Sequence, residues 1–279
     1  HFRSVEEMTG WEKKSESEGN LQLTHTFERD QIGKTMTFYT SDCFVQVYLD
    51  GEEIYRFGQN PKLPASPGSQ WHFIEFDGDE SNVGKELGIV IKAYYAKNLD
   101  PNITVYCGSS GAVLLGNVKS ELGDLICNAV LLIYGVILIL IFWIERASHV
   151  GDRADYLLGG LCILTCLWST CELFSFQMIF PSGVGQYYLY YLSFYAMPLF
   201  LILYVEHMGS ARVTPVIYSH LLMVIVLLIL QLTGIASFVM TMPVFLGLSL
   251  VEMVGGIVHI IRTGRMPVGK SIHRAMLFL

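Results

Sequence analysis

The feature that most constrains this chain is Leu125–Ile144, a run of twenty residues without one charged side chain. A bilayer core about 30 Å thick is crossed by a helix of about 20 apolar residues. Four more apolar stretches follow: Tyr156–Phe180, Tyr187–Val205, Pro215–Phe238 and Pro243–Ile261. None keeps the polar face that a helix on a soluble core requires. Membrane spans are therefore expected at about 123–144, 156–180, 186–205, 215–238 and 243–261, and Ala275 reads as the start of a sixth. With no Met at His1 and an apolar run at its end, the chain reads as a piece of a longer protein.

Charge divides the sequence in two. Residues 1–121 hold 11 Lys and Arg against 18 Asp and Glu, whereas the remainder holds seven of each. The whole net charge of -7 thus belongs to the first part, and no basic surface suggests a nucleic-acid partner. This shift puts a boundary near Lys119–Asp124, and the domains are read as 1–117 and 118–279. The expected partner of the second domain is the lipid bilayer.

The loops between spans set an orientation. Arg146 and Arg153 lie in 145–155, Arg212 in 206–214, and Arg262, Arg265, Lys270 and Arg274 in 262–274. The alternate loops, Pro181–Gln186 and Val239–Met242, have no Lys or Arg. Basic loops stay in the cytoplasm, so residues 1–117 are expected outside it. Tyr187, Tyr188, Tyr190 and Tyr191 then fall at the outer interface, where tyrosine belts sit.

The first domain reads as all-β. Leu21–Glu28, Lys34–Thr40, Cys43–Leu49, Glu52–Phe57, Trp71–Phe76, Leu87–Tyr95 and Asn102–Cys107 are seven expected strands. Asp50-Gly51 between two of them is a two-residue hairpin signal, because both turn positions need positive φ. Short strands with turn signals between them suggest a β-sandwich. Gln59–Gln70, with Pro61, Pro64 and Pro67, reads as a loop across one end, and Gly108–Gly116 as a small-residue connector.

The run from Phe38 to Tyr55, with Phe44-Val45-Gln46-Val47-Tyr48-Leu49-Asp50-Gly51 at its centre, resembles the hairpin of galactose-binding-like jelly rolls. Followed by a multi-span module from Asp124, it resembles bacterial seven-transmembrane receptors with diverse intracellular signalling modules. That resemblance implies an extracytoplasmic jelly-roll sensor domain, a helix bundle, and a missing cytoplasmic output domain, most often a diguanylate cyclase (GGDEF) domain. The chain itself shows five spans and no GGDEF run.

Candidate sites follow from chemistry that is costly to bury. Glu172 and Glu252 are acids within apolar stretches, with His220, His259 and Gln231 as hydrogen-bonding helpers. Intramembrane charges mark polar switches or proton paths, or are packing groups kept neutral. In the outer domain Tyr39, Tyr48, Arg56, Trp71 and His72 can line a ligand pocket; a carbohydrate or similar small molecule suits aromatic faces. In the competing reading Tyr48 and Trp71 are core, and Arg56 and His72 are surface groups. Cys162 and Cys166 share a helix face but read as packing groups rather than metal ligands. Cys43 and Cys107 can pair in an oxidising space. No catalytic constellation, metal site or cofactor motif is present.

The favoured function is a membrane sensory receptor fragment: the sandwich binds an extracellular ligand and the bundle passes the signal inward. A homodimer fits that role. The alternatives are a transporter or channel component using Glu172 and Glu252, and a membrane-anchored carbohydrate-binding module.

Overall fold

The structure is a computed structural model that describes residues 5–17, 19–58, 66–95, 99–148, 152–209 and 214–263. Nine strands come first: β1 (Glu6–Glu7), β2 (Glu12–Ser17), β3 (Asn20–Thr26), β4 (Thr35–Thr40), β5 (Cys43–Leu49), β6 (Glu52–Phe57), β7 (Gln70–Glu75), β8 (Glu86–Ala93) and β9 (Tyr106–Gly108). Seven helices follow: α1 (Ser110–Ser120), α2 (Leu122–Ala147), α3 (Arg153–Thr170), α4 (Phe174–Ile179), α5 (Gly183–Gly209), α6 (Thr214–Thr233) and α7 (Phe238–Thr263). The chain separates into two compact units, residues 1–125 with 170–188, and residues 126–169 with 189–279.

The first unit holds two antiparallel sheets, β1-β9-β4-β7 and β2-β3-β8-β5-β6. Side chains alternate along each strand. Met36, Phe38 and Ile74 of one sheet and Val45, Val47, Leu87, Ile89 and Ile91 of the other meet in one buried cluster. Asp50 and Gly51 turn β5 into β6 with φ of 52° and 81°, the left-handed pair that this two-residue hairpin demands. The jelly-roll topology expected from sequence is not established by this strand order; two packed antiparallel sheets are.

Three expectations change. Among the described residues the strands number nine, because β1 and the charged β2 (Glu-Lys-Lys-Ser-Glu-Ser) join the sheets without an apolar face. The connector at Gly108–Gly116 is largely the helix α1, which Ser109 caps by accepting from the Ala112 amide at 3.4 Å. The stretch 156–180 is not one helix: it breaks after Thr170 and restarts as α4. Pro61, Pro64, Arg212, Arg265, Lys270, Arg274 and the sixth span from Ala275 lie outside the described residues.

Among the described residues four helices are long and apolar enough to cross a bilayer: Leu122–Ala147, Gly183–His207, Pro215–Thr233 and Phe238–His259. The helix α3 falls short of that standard, with Arg153 and Asp155 in its first turn. Ile133, Ile144, Leu222, Leu250 and Val251 stay exposed on these helices, as lipid-facing side chains do.

The helices α2 and α3 meet at two glycines. A Cβ on Gly159 would stand 2.7 Å from the Gly135 carbonyl oxygen, and one on Gly135 would stand 2.8 Å from the Gly159 oxygen. Backbone cannot yield as a side chain can, so close approach requires small residues here. Gly159→Ala is expected to destabilise the detergent-solubilised chain by about 1–3 kcal/mol. Gly255→Ala, where a Cβ meets nothing within 4 Å, is the control. Equal thermal unfolding of the two variants would contradict the contact.

Candidate functional site

The five candidates of the first unit do not converge; Tyr48 is half-buried on β5, in the other sheet from Tyr39, Trp71 and His72, rather than core. His72 and Phe38 face inward from paired positions on β7 and β4, with ring centroids 4.9 Å apart. His72 is fully buried, against the expectation of a surface group. Its Nε2 lies 2.7 Å from the Thr40 hydroxyl, and its Nδ1 lies 3.0 Å from the Tyr55 hydroxyl. Burial pushes its pKa down to about 3, so the ring is neutral at physiological pH. It is a satisfied core histidine.

Tyr39 and Trp71 are neighbours on the opposite face of the same strand pair, with ring centroids 5.5 Å apart. Tyr39 keeps 40% of its surface exposed, and Trp71 is half-buried rather than core. The Tyr39 phenol is raised above its ordinary pKa, first by partial burial; a hydrogen bond with Ser69 opposes this, and the charge of Glu172 adds to it. Arg56 lies on the other sheet, where its Nε donates to Glu53 at 2.7 Å.

Glu172 is the clearest correction. It is exposed in the turn between α3 and α4, not inside a long apolar helix. The reason is a carboxylate from elsewhere in the same unit. Glu121, at the end of α1, accepts from the Phe174 amide at 2.6 Å and from the Ser175 amide and hydroxyl at 3.2 Å each. A carboxylate satisfies the open amides of a helix start, so α4 can begin there without Gly or Pro.

Thus started, α4 is fastened to the sheet. Phe174 packs on Phe73 of β7, with ring centroids 4.8 Å apart. The buried Gln177 side chain accepts from the Trp71 amide at 3.1 Å and donates to the Ser69 carbonyl at 3.2 Å. The helix α1 joins the same face, with the Ser110 and Thr35 hydroxyls 2.6 Å apart. Sequence reading missed Glu121 and Gln177; an amide and an acid next to apolar stretches were the available signal.

In the second unit, His220 and Glu252 do come together. His220 on α6 is fully buried. Its Nδ1 lies 2.8 Å from Glu252 Oε2 on α7, and its Nε2 lies 3.0 Å from the Tyr195 carbonyl on α5. Ser219, which sequence reading passed over, donates to Glu252 Oε1 at 2.5 Å. Glu252 also borders an apolar groove of about 160 Å³ between α5 and α7. Gln231 is separate from this group: its side chain accepts from the Phe238 amide at 2.7 Å and closes the turn between α6 and α7. His259, seven residues beyond Glu252 on α7, is exposed.

Comparison with family models, with curated proteins and with solved structures found no match.

Proposed function

We propose that this chain is the sensory part of a membrane receptor, in which the β-sandwich takes an extracellular ligand and the helices carry the response inward. The observation that supports this reading is the fastening of α4 to β7 by Gln177 and Phe174. A domain serving only as an anchored binding module needs one covalent tether. Here the chain segment between α3 and α5 is built into the sheet-bearing unit. A shift in β7 therefore pulls on residues continuous with both helices. A ligand drives such a shift only by binding one arrangement better than the other.

Tyr39 and Trp71 offer an aromatic face beside Ser69, the residue whose carbonyl Gln177 holds. Aromatic faces suit a carbohydrate or another small molecule with an apolar side. The crowding of basic residues into alternate loops favours an orientation with this unit outside the cytoplasm. The resemblance to seven-transmembrane receptors favours an output domain after the bundle, with a diguanylate cyclase as its first candidate.

The test is hydrogen exchange on the full chain in nanodiscs, with ligands drawn from a glycan and metabolite thermal-shift screen. A ligand that raises the melting temperature is expected to change exchange in residues 174–186 as well as in 35–75. In Gln177→Ala the change in 174–186 should be lost while binding persists. A saturable ligand that protects the strands and leaves 174–186 untouched in the wild-type chain would overturn signal transmission.

A further inference from the structure

We propose that Ser219, His220 and Glu252 form a proton-binding site that ties proton occupancy to the packing of α5, α6 and α7. This goes beyond the receptor reading and does not depend on it.

The argument rests on which atoms can donate. The Tyr195 carbonyl oxygen can only accept, so the 3.0 Å contact requires a hydrogen on His220 Nε2. With Nε2 protonated, Nδ1 carries a second hydrogen only in the imidazolium. The 2.8 Å contact between Nδ1 and Glu252 Oε2 therefore exists in two forms. Either an imidazolium donates to a carboxylate, or a neutral imidazole accepts from a carboxylic acid. Both forms hold one exchangeable proton between the two side chains, and both are neutral overall. Ser219 donates to Oε1 in either form and orients the carboxyl group.

Removing that proton leaves no arrangement that keeps every bond. If Nε2 stays protonated, the Nδ1 lone pair faces a carboxylate. If the ring changes tautomer, the Nε2 lone pair faces the Tyr195 oxygen. His220 is the side chain that joins α6 to both α5 and α7, so one of those two ties is lost with the proton. On removal the N–H or O–H bond breaks, its electron pair stays on the pair of residues, and the proton passes to hydroxide or a buffer base. Glu252 stands at the wall of the groove among Leu201, Ile202, Val205, Met253, Gly256 and Ile257, none of them titratable.

From α5 the Tyr195 ring packs 4.3 Å from Phe245, and that ring in turn lies 5.8 Å from His220. The helix α6 supplies Ser219 and His220, and α7 supplies Glu252. Other titratable side chains on these helices include Tyr191, Tyr204, Glu206 and His207 on α5, Tyr218 on α6 and His259 on α7. Among the described residues the ion pair made by Glu252 is with His220.

The experiment is a pH titration of the full chain in nanodiscs with ¹⁵N-labelled histidine. In the wild-type chain His220 is expected to keep Nε2 protonated at pH 7, with one proton shared between Nδ1 and Glu252, and to report the loss of that proton as one step. Glu252→Gln preserves a donor to Nδ1 but has no proton to share. It should hold His220 neutral and erase that step. Ser219→Ala keeps both titrating groups but removes a donor to the carboxylate, so the proton should be held more tightly and the step should move to higher pH. It also serves if Glu252→Gln does not fold. An unchanged His220 titration in Glu252→Gln, an unmoved step in Ser219→Ala, or a wild-type pair without a proton at pH 7 would each overturn the site.

Discussion

Acidifying the chain from pH 7 towards pH 3 is expected to strip the sheet-bearing unit of about 5 kcal/mol of stability through His72 alone. The folded ring has its pKa pushed down to about 3 by burial, against 6.5 when free. Below pH 6.5 the unfolded chain takes up a proton that the folded one refuses. The contribution is thus complete above about pH 6.5, falls by about 1.4 kcal/mol per pH unit below it, and is gone near pH 3. Thr40 and Tyr55 can turn their hydroxyls to accept from an imidazolium, but neither brings a negative charge. Hydrogen exchange of core amides in β5 and β8 on the full chain, read from pH 7 to 4, measures the slope. His72→Gln should flatten it. An equal slope in that variant would assign the loss to other groups.

Phe38→Ala is expected to cost about 3–5 kcal/mol, the range for removing a fully buried ring. The residue has no exposed surface and stands between the two sheets. Single domains hold only about 5–15 kcal/mol in total, so this one truncation brings the unit close to unfolding at neutral pH. Its ring also packs 4.9 Å from His72. A cavity there admits water to the imidazole and relaxes the burial that depresses its pKa. The two effects therefore do not add: the Phe38→Ala chain, though weaker, should lose less on acidification than the wild type. Urea unfolding at pH 7 and pH 5 separates the terms. A shallow loss of under 1 kcal/mol at pH 7 would place Phe38 outside the load of the core.

The parts of this fold legible from sequence were those written in alternation or turn chemistry. Val45 and Val47 announced the inner face of β5, and Asp50-Gly51 announced its turn. The length and lack of charge of Leu125–Ile144 announced α2. What was hidden lay in contacts between distant positions. His72 and Trp71 are adjacent, and only the pairing with Phe38 and Tyr39 decides which of them faces the core. The break before α4 carries no Gly or Pro, because its start is satisfied by Glu121, more than fifty positions earlier. The strand β2 has a charged sequence that no periodicity singles out, and its place in the sheet is set by pairing with β3. At the candidate site, rarity picked out Glu252 and His220, but Ser219 needed the helices to be packed before it could be seen.

The Gln177 side chain has one more consequence, for solubility. Three of the four strands that end a sheet are guarded by charge: Glu6 and Glu7 on β1, Lys13 and Lys14 on β2, and Glu52, Glu53 and Arg56 on β6. Charged side chains discourage a neighbouring molecule from adding a strand. The fourth, β7, reads Gln-Trp-His-Phe-Ile-Glu, and such an apolar margin invites aggregation. By occupying the Trp71 amide and the Ser69 carbonyl, the Gln177 amide fills the positions an incoming strand would seize first. The chain thus stoppers this sticky border with a side chain of its own, and the border opens when α4 lets go.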